Sequence, residues 1–161
     1  MAKKEEKTNV MRLLEKAQVL YTAHTYDHAD GVIDGVGVAR KLQQDPERVF
    51  KTLVTKGASG QYTVFCVPVQ EELDLKKAAR VAGEKSVEMI HVADINKVTG
   101  YIRGGCSPLG MKKRYLTVMD ESILKYNTVM VSAGKIGFQI ELAPADLLRL
   151  SAAKTGQITV K

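Results

Sequence analysis

The chain has 161 residues, of which 45% are hydrophobic and 26% are charged, proportions typical of a globular protein with one hydrophobic core. No apolar stretch approaches the roughly 20 residues of a membrane-spanning helix, and the charged N-terminus lacks the apolar core of a secretory signal. Two cysteines are too few for a disulfide framework. We therefore expect a single domain over residues 1–161 in the reducing cytoplasm, with no membrane contact.

The net charge of the chain is positive, because 24 lysines and arginines stand against 18 acidic residues. Such a balance suits a polyanion such as RNA, since each neutralised phosphate releases counterions. The basic residues are scattered, with short clusters only at Lys76-Lys77 and Lys112-Lys113-Arg114. Without tryptophan, and with three phenylalanines, no aromatic surface for stacking bases is evident. Charge alone leaves an RNA partner and no partner equally open.

Short helices and strands alternate in the first half of the chain. Thr8 and Asn9 are good N-caps for an opening helix, whose apolar residues recur on one face at Val10, Leu13, Leu14 and Ala17. After it we predict, in chain order, a strand at 21–26, a glycine-rich loop at 29–37, a short helix at 38–43, a helical turn at 45–47, and a hairpin of strands 50–55 and 61–69.

Capping residues organise the second half of the chain. Asp74 is predicted to cap a helix over 75–82, which Gly83 ends in the left-handed conformation. Beyond it we predict a strand at 87–90, a helix at 93–98, a loop at 100–110, strands at 115–119, 128–132 and 136–142, a helical turn at 121–125 and a final helix at 144–150. This order predicts a single compact α/β domain with a mixed, mostly antiparallel central sheet packed by short helices.

Lys51 is the first candidate for chemistry, because it interrupts an apolar and β-branched strand. If its ammonium lies near the core, desolvation lowers its pKa and makes it a usable acid, base or electrostatic anchor. The alternative is an edge-strand lysine that reaches water and blocks aggregation.

The loop from Gly104 to Pro108 is the second candidate. Gly104 and Gly105 allow the backbone to approach a ligand closely, and their N–H groups could stabilise an oxyanion. The chain contains neither the Walker phosphate-binding motif nor a GxGxxG sequence. A plain multi-glycine turn explains the same residues, and the local sequence favours it.

The cysteines and histidines give weaker signals. Cys106 would need a neighbouring base to act as a nucleophile, and no histidine is tied to it in the sequence, so we predict no catalytic role. Cys66 lies in an alternating strand and is predicted to be a small buried hydrophobe. His24 and His28 are four residues apart on a strand and its exit, a spacing that does not cluster ligands, so no metal site is predicted.

Five sequence blocks, considered together, resemble the YbaK/EbsC family of aminoacyl-tRNA deacylases, relatives of the editing domain in bacterial prolyl-tRNA synthetase. The resemblance extends along nearly the whole chain, and the blocks stand in order at family-like spacing. They are His24-Thr25-Tyr26, Val49-Phe50-Lys51-Thr52-Leu53, Leu73-Asp74-Leu75-Lys76-Lys77, Gly100-Tyr101 with Gly104-Gly105-Cys106-Ser107-Pro108-Leu109-Gly110, and Val131-Ser132-Ala133-Gly134-Lys135.

The resemblance implies a sheet around a small pocket and, without a cofactor, activity on the ester that joins an amino acid to the 3′ end of tRNA. The family's essential lysine falls on Lys51. Positions implied in substrate binding are Tyr26, Thr52, Gly104, Gly105, Pro108, Ser132 and Gln139. Some members carry an aspartate where this chain has Gln139; a carboxylate could pair with the α-ammonium of the substrate, whereas an amide is neutral.

The function implied by the resemblance is trans-editing: removal of mischarged cysteine from Cys-tRNA(Pro), with Cys-tRNA(Cys) as a further substrate. In cysteine-editing members the thiol of the bound cysteine attacks its own carbonyl and expels the tRNA. The implied partners are the 3′ aminoacyl end of mischarged tRNA and prolyl-tRNA synthetase. Two alternatives stay open: a deacylase for another small amino acid, such as Ala-tRNA(Pro), and a non-catalytic module that binds tRNA or the synthetase.

Overall fold

A computed structural model describes residues 7–160 of the chain. The α-helices, α1 to α5, are Asn9–Lys16, Gly35–Lys41, Leu75–Ala82, Ile95–Thr99 and Pro144–Ser151, and short 3₁₀ helices occupy Pro46–Arg48, Val92–Asp94 and Glu121–Lys125. The strands, β1 to β8, are Tyr21–Thr25, Phe50–Gly57, Tyr62–Pro68, Val87–Met89, Leu116–Asp120, Val129–Ser132, Phe138–Leu142 and Lys154–Gly156. Within 7–160, no helix has the length and apolarity needed to cross a bilayer.

The predicted capping residues act as caps. The Thr8 hydroxyl accepts the Met11 N–H at 3.2 Å, and the Asp74 carboxylate accepts the N–H groups of two residues in the first turn of α3. Gly83 ends α3 with a φ of 72°. Helix α2 begins earlier than predicted, because the Asp34 carboxylate caps it by accepting the Gly37 N–H at 3.0 Å. Its glycine-rich start looked like a loop in the sequence.

The strands form two sheets rather than one central sheet. The first has the order β1-β7-β6 and is antiparallel throughout, whereas the second has the order β4-β2-β3-β5-β8. In the second sheet β2 pairs antiparallel with β3 and β4, while β3–β5 and β5–β8 are parallel. The mixed, mostly antiparallel α/β fold is confirmed. Strand β8 lies beyond the last predicted element, the helix at 144–150, because its three residues carry no apolar alternation that would indicate a strand.

The five-stranded sheet separates two cores. Phe65 and Val67 of β3 point to one face, where they pack with α3, whereas Cys66 between them points to the other face. There it joins the largest core cluster, which includes residues of α1, β6, β7 and α5. The alternation of β3 is therefore apolar on both faces, as expected for a central strand with packing on each side.

An open strand edge is the feature that creates a cavity. Strand β2 has β3 on one edge, and its other edge pairs with β4 only over residues 55–57. The two sheets are linked by a parallel bridge between Val49 and Met130, beyond which β2 and β6 form no ladder. The Val49 carbonyl accepts the N–H of Val69, the residue after β3, and the Val54 carbonyl accepts the Ile90 N–H on the other side. Alternation therefore points the Thr52 backbone groups toward the unpaired edge.

Candidate functional site

A cavity of about 690 Å³ lies against the open edge of β2. Strands β6 and β7, the start of α2 and the loop around Gly104 complete its wall. Six of the eight site residues predicted from the sequence line this cavity: Tyr26, Lys51, Thr52, Gly104, Ser132 and Gln139. They come from five separate segments of the chain, so only the tertiary fold brings them together.

Lys51 lies half-buried in the wall, where its ammonium makes no ion pair with any described residue. Burial lowers the pKa of this ammonium below its ordinary value, and the nearby carboxylates of Glu72 and Glu71 act in the opposite direction. The sequence left a buried lysine and a solvent-exposed edge lysine open, and the structure favours the first. Lys51 is a cation with unused hydrogen-bonding capacity at a ligand-sized cavity.

Two buried polar atoms in the cavity-lining residues lack a partner among the described residues. They are the Tyr26 hydroxyl and the Gln139 Oε1, in residues that are 9% and 7% exposed. Because buried polar groups in folded proteins are almost always hydrogen-bonded, such atoms at a cavity mark where a ligand would bind. Gln139 Oε1 accepts hydrogen bonds, so its natural partner is a donor such as an ammonium or a hydroxyl.

Two hydroxyl groups complete the polar wall. The Ser132 hydroxyl accepts the Gly134 N–H at 3.2 Å, which fixes it at the end of β6. Thr52 follows Lys51 on the same strand, and its hydroxyl lies 3.7 Å from the Cys66 sulfur. Neither forms a catalytic dyad with a histidine, so these two hydroxyl groups offer hydrogen bonds to a ligand and no activated nucleophile.

The glycine loop divides into a part that lines the cavity and a part that supports it. Gly104 has a φ of 86°, which favours glycine, and a Cβ there would lie 2.9 Å from Ile33 Cδ1, so the Ile33 side chain would have to shift. The Gly104 N–H has no acceptor among the described residues. The Gly105 N–H, in contrast, donates to the Ile102 carbonyl at 3.0 Å, which corrects our expectation that both glycines could stabilise an oxyanion.

Gly105 and Pro108 are the two predicted site residues that do not line the cavity. Gly105 is buried where a Cβ would lie 3.2 Å from the Ile136 N, so it allows two backbone segments to pack closely. Pro108 is buried and borders a separate cavity of about 210 Å³. Their positions fit support of the loop, and a contact with substrate stays a prediction for both.

The cavity wall also contains a thiol. Cys106 lines it as a free cysteine, and burial raises the pKa of this thiol to about 11. A thiol with such a pKa is almost entirely protonated at neutral pH and is a poor nucleophile. Cys66 is fully buried, as predicted for a small hydrophobe, and burial raises its pKa to about 12.

An ionic network lies on the same face of β7 as Gln139. The Glu141 carboxylate accepts hydrogen bonds from Thr128 at 2.6 Å and from Arg48 at 2.5 Å, and lies 2.8 Å from His24 Nε2. These contacts, led by the Thr128 hydrogen bond, lower the pKa of Glu141 to about 2. His24 therefore has a carboxylate partner, and residues 7–160 contain no group of three or more side chains suited to a metal ion.

The sequence missed this network because its members are 13 to 117 residues apart in the chain. It also missed Arg103, Asp34 and Ile33, which line the cavity from loops without a recognisable motif. Only the glycine richness of the 100–110 loop hinted that its neighbours would border a site.

Comparison with known proteins identifies the family of this fold. Residues 35–150 match the model of the aminoacyl-tRNA editing domain, and a full-length relative is 45% identical. The chain belongs to the aminoacyl-tRNA editing domain family. That relative, from Enterococcus faecalis (strain ATCC 700802 / V583), carries the provisional name Cys-tRNA(Pro)/Cys-tRNA(Cys) deacylase EbsC, and the match covers 100% of this chain and 99% of the relative. The resemblance stated from the sequence is confirmed.

Two further similarities agree with this membership. The Bacillus subtilis (strain 168) protein YwhH is 27% identical over 107 residues, which cover 66% of this chain and 68% of YwhH. A crystal structure described provisionally as a trans-editing enzyme for prolyl tRNA synthetase superposes with a TM-score of 0.81 at 21% identity. That match covers 98% of this chain and 100% of the other, so the editing-domain relatives share its fold over nearly its full length.

Proposed function

We propose that this protein is a trans-editing deacylase, which cleaves the ester joining a mischarged cysteine to the 3′ end of tRNA(Pro). The observation that carries the proposal is the position of Lys51, a cation without an ion-pair partner in the wall of the cavity. The buried Tyr26 hydroxyl and Gln139 Oε1 in the same wall also have no hydrogen-bond partner among the described residues. The family membership and the name of the 45% identical relative support the same activity. The substrate is a mischarged tRNA, so the protein works in the cytoplasm, with prolyl-tRNA synthetase as a partner.

The chemistry needs positioning more than a protein nucleophile, because an aminoacyl ester is already reactive. The substrate thiol attacks its own carbonyl carbon: a sulfur–carbon bond forms, the carbon–oxygen bond to the ribose breaks, and the thiol proton ends on the released ribose hydroxyl. Negative charge that develops on the carbonyl oxygen is stabilised by the Lys51 ammonium and the unused Gly104 N–H. The protonated Cys106 thiol has no role in these steps.

Recognition of the amino acid falls to the unpartnered polar groups. Gln139 Oε1 accepts a hydrogen bond from the substrate α-ammonium, and the unpaired backbone edge at Thr52 offers further donors and acceptors. Since Gln139 is neutral, this hydrogen bond has less electrostatic assistance than a carboxylate would give. Alanine therefore remains the second candidate substrate, because nothing in this neutral contact distinguishes the α-ammonium groups of the two amino acids.

The decisive experiment measures deacylation of Cys-tRNA(Pro), Ala-tRNA(Pro) and Pro-tRNA(Pro), with and without prolyl-tRNA synthetase. We expect fast loss of the cysteine ester, and a fall of at least 100-fold in its rate for Lys51→Ala, the scale seen when one oxyanion-stabilising donor is removed. Lys56→Ala is the matched control, because Lys56 is an exposed lysine on the same strand and lines neither the site cavity nor the cavity beside Pro108.

Three results would redirect the proposal. Equal cleavage of the cysteine and alanine esters would replace the substrate thiol with water as the nucleophile. Cleavage of the alanine ester alone would make alanine the substrate. No cleavage above the buffer rate, even with the synthetase present, would leave a tRNA-binding or synthetase-binding module.

A further inference from the structure

The segment that begins with α4 contains basic residues but no acidic residue. Residues 95–119 contain five basic residues and no acidic residue, although the whole chain has 24 basic and 18 acidic residues. One of the five, Lys97, lies 4.0 Å from Asp94. The other four, which we call the basic segment, are Arg103, Lys112, Lys113 and Arg114.

All four side chains of the basic segment are exposed, and none makes a hydrogen bond or ion pair with another described residue. Lys41, in contrast, lies 2.7 Å from the Asp30 carboxylate. The three consecutive cations at 112–114 and Arg103 contribute nothing to folding through ion pairs with described residues. Their arrangement suits a partner that brings negative charge.

The basic segment runs from the cavity to the outer surface. Arg103 lines the cavity directly. The Lys112 N–H donates to the Thr99 carbonyl at 3.1 Å, and the Lys112 side chain lies 3.7 Å from the Cβ position of Gly100. Lys112 therefore packs against the segment that leads to Arg103, since the three residue steps from Gly100 to Arg103 span at most about 11 Å.

The remaining two cations extend this path beyond the glycine loop. Lys113 and Arg114 border the second cavity, together with Pro108 and its neighbours. The start of α2 adds the Asp34 carboxylate to the wall of the first cavity, where it also caps that helix. Arg103 in the cavity wall and the three exposed cations at 112–114 attract a polyanion whose end enters the cavity.

We propose that the basic segment binds the phosphates next to the aminoacylated 3′ end of tRNA and so directs the ester toward Lys51. This inference rests on the proposed deacylase function, because it assigns the path of the RNA whose end occupies the cavity. Arg103 contacts the phosphates nearest the cavity, and Lys112, Lys113 and Arg114 contact those farther along the acceptor strand. The contacts are to phosphate, so they are independent of base sequence.

The test compares two triple variants with the same change in net charge. The loop variant is Lys112→Gln, Lys113→Gln and Arg114→Gln, and the control variant is Lys16→Gln, Arg80→Gln and Lys85→Gln. The three control residues are exposed and line neither the site cavity nor the cavity beside Pro108. Dissociation constants for uncharged tRNA are measured from 50 to 200 mM KCl, and steady-state kinetics use charged tRNA and a minimal 3′-aminoacyl-adenosine.

We expect the loop variant to lose about 2 to 3 from the slope of log affinity against log salt, because each phosphate contact contributes about 0.7 to 0.9. Over this fourfold salt range, the affinity of the wild type for tRNA then decreases by a factor up to about 40 times larger than the decrease for the loop variant. The KM for charged tRNA rises at least tenfold at unchanged kcat. Cleavage of aminoacyl-adenosine, which has no acceptor stem, is the same for both proteins, and the control variant keeps the wild-type slope.

Equal effects of the two triple variants would overturn the inference, since they would mean that only bulk charge matters. An equal loss on aminoacyl-adenosine would also overturn it, because the segment would then support the cavity rather than bind RNA. Loss only of stimulation by prolyl-tRNA synthetase would assign the segment to an acidic protein surface instead. If wild type cleaves no ester while uncharged tRNA still shows the expected slopes, the RNA surface stands and the deacylase proposal falls.

Discussion

Replacement of Glu141 by glutamine tests whether the charge of this carboxylate stabilises the site-bearing sheet. Its pKa is about 2 in the folded protein against an ordinary value of 4.5. That difference corresponds to about 3 kcal/mol, which we reduce to about 2 kcal/mol because solvent screens a partly exposed group. Because the folded pKa is the lower one, the contribution is fully present above pH 4.5 and is lost as the pH falls toward 2.

Urea unfolding at pH 7 and pH 3 measures this contribution. We expect Glu141→Gln to lower the free energy of unfolding by about 2 kcal/mol at pH 7, and by roughly half as much at pH 3, where the unfolded carboxylate is protonated. The control is Glu88→Gln, an exposed carboxylate on β4 with no ion pair to a described residue, which should change stability by less than about 0.5 kcal/mol. An equal loss for Glu141→Gln at both pH values would refute the reasoning, since a loss of packing does not depend on protonation.

Three further substitutions test the cavity. Gly104→Ala should lower kcat/KM for the aminoacyl ester at least tenfold, because the new Cβ would meet Ile33 at the cavity wall. The control is Gly60→Ala, which has a similar φ of 89° but lies in open space, and it should lower stability while leaving the kinetics unchanged. Gln139→Asp should raise the preference for an α-amino ester over its α-hydroxy analogue about tenfold, since a hydrogen bond between charged groups is stronger, and an unchanged preference would remove Gln139 from α-ammonium recognition. Cys106→Ala should keep the deacylation rate within about twofold, as expected for a thiol with a pKa of about 11, and a loss above tenfold would identify it as the nucleophile.

Local chemistry made much of the fold predictable. The caps of α1 and α3, the left-handed Gly83 and the β2–β3 hairpin each depend on residues within a few positions of one another, and all are confirmed. The start of α2 was predicted three residues late, because its capping aspartate is followed by two glycines in the first turn. Strand β8 was missed because it forms only by pairing with β5, which is distant in sequence.

For the candidate site, too, some features follow from the sequence and others only from the tertiary structure. The sequence by itself determined the family, the presence of a lysine in an apolar strand, and a glycine-rich loop at 100–110, which local chemistry alone did not distinguish from an ordinary turn. The tertiary structure decided which of these residues share a cavity. That cavity lies where β2 is not paired with β4 and where β6 no longer pairs beyond the Val49–Met130 bridge. The tertiary structure also decided that Gly105 supports the loop through its turn hydrogen bond and that the Glu141 carboxylate has partners from three other segments. Strand edges, burial and long-range ion pairs are properties of two or more segments at once, and no local pattern in one segment records them.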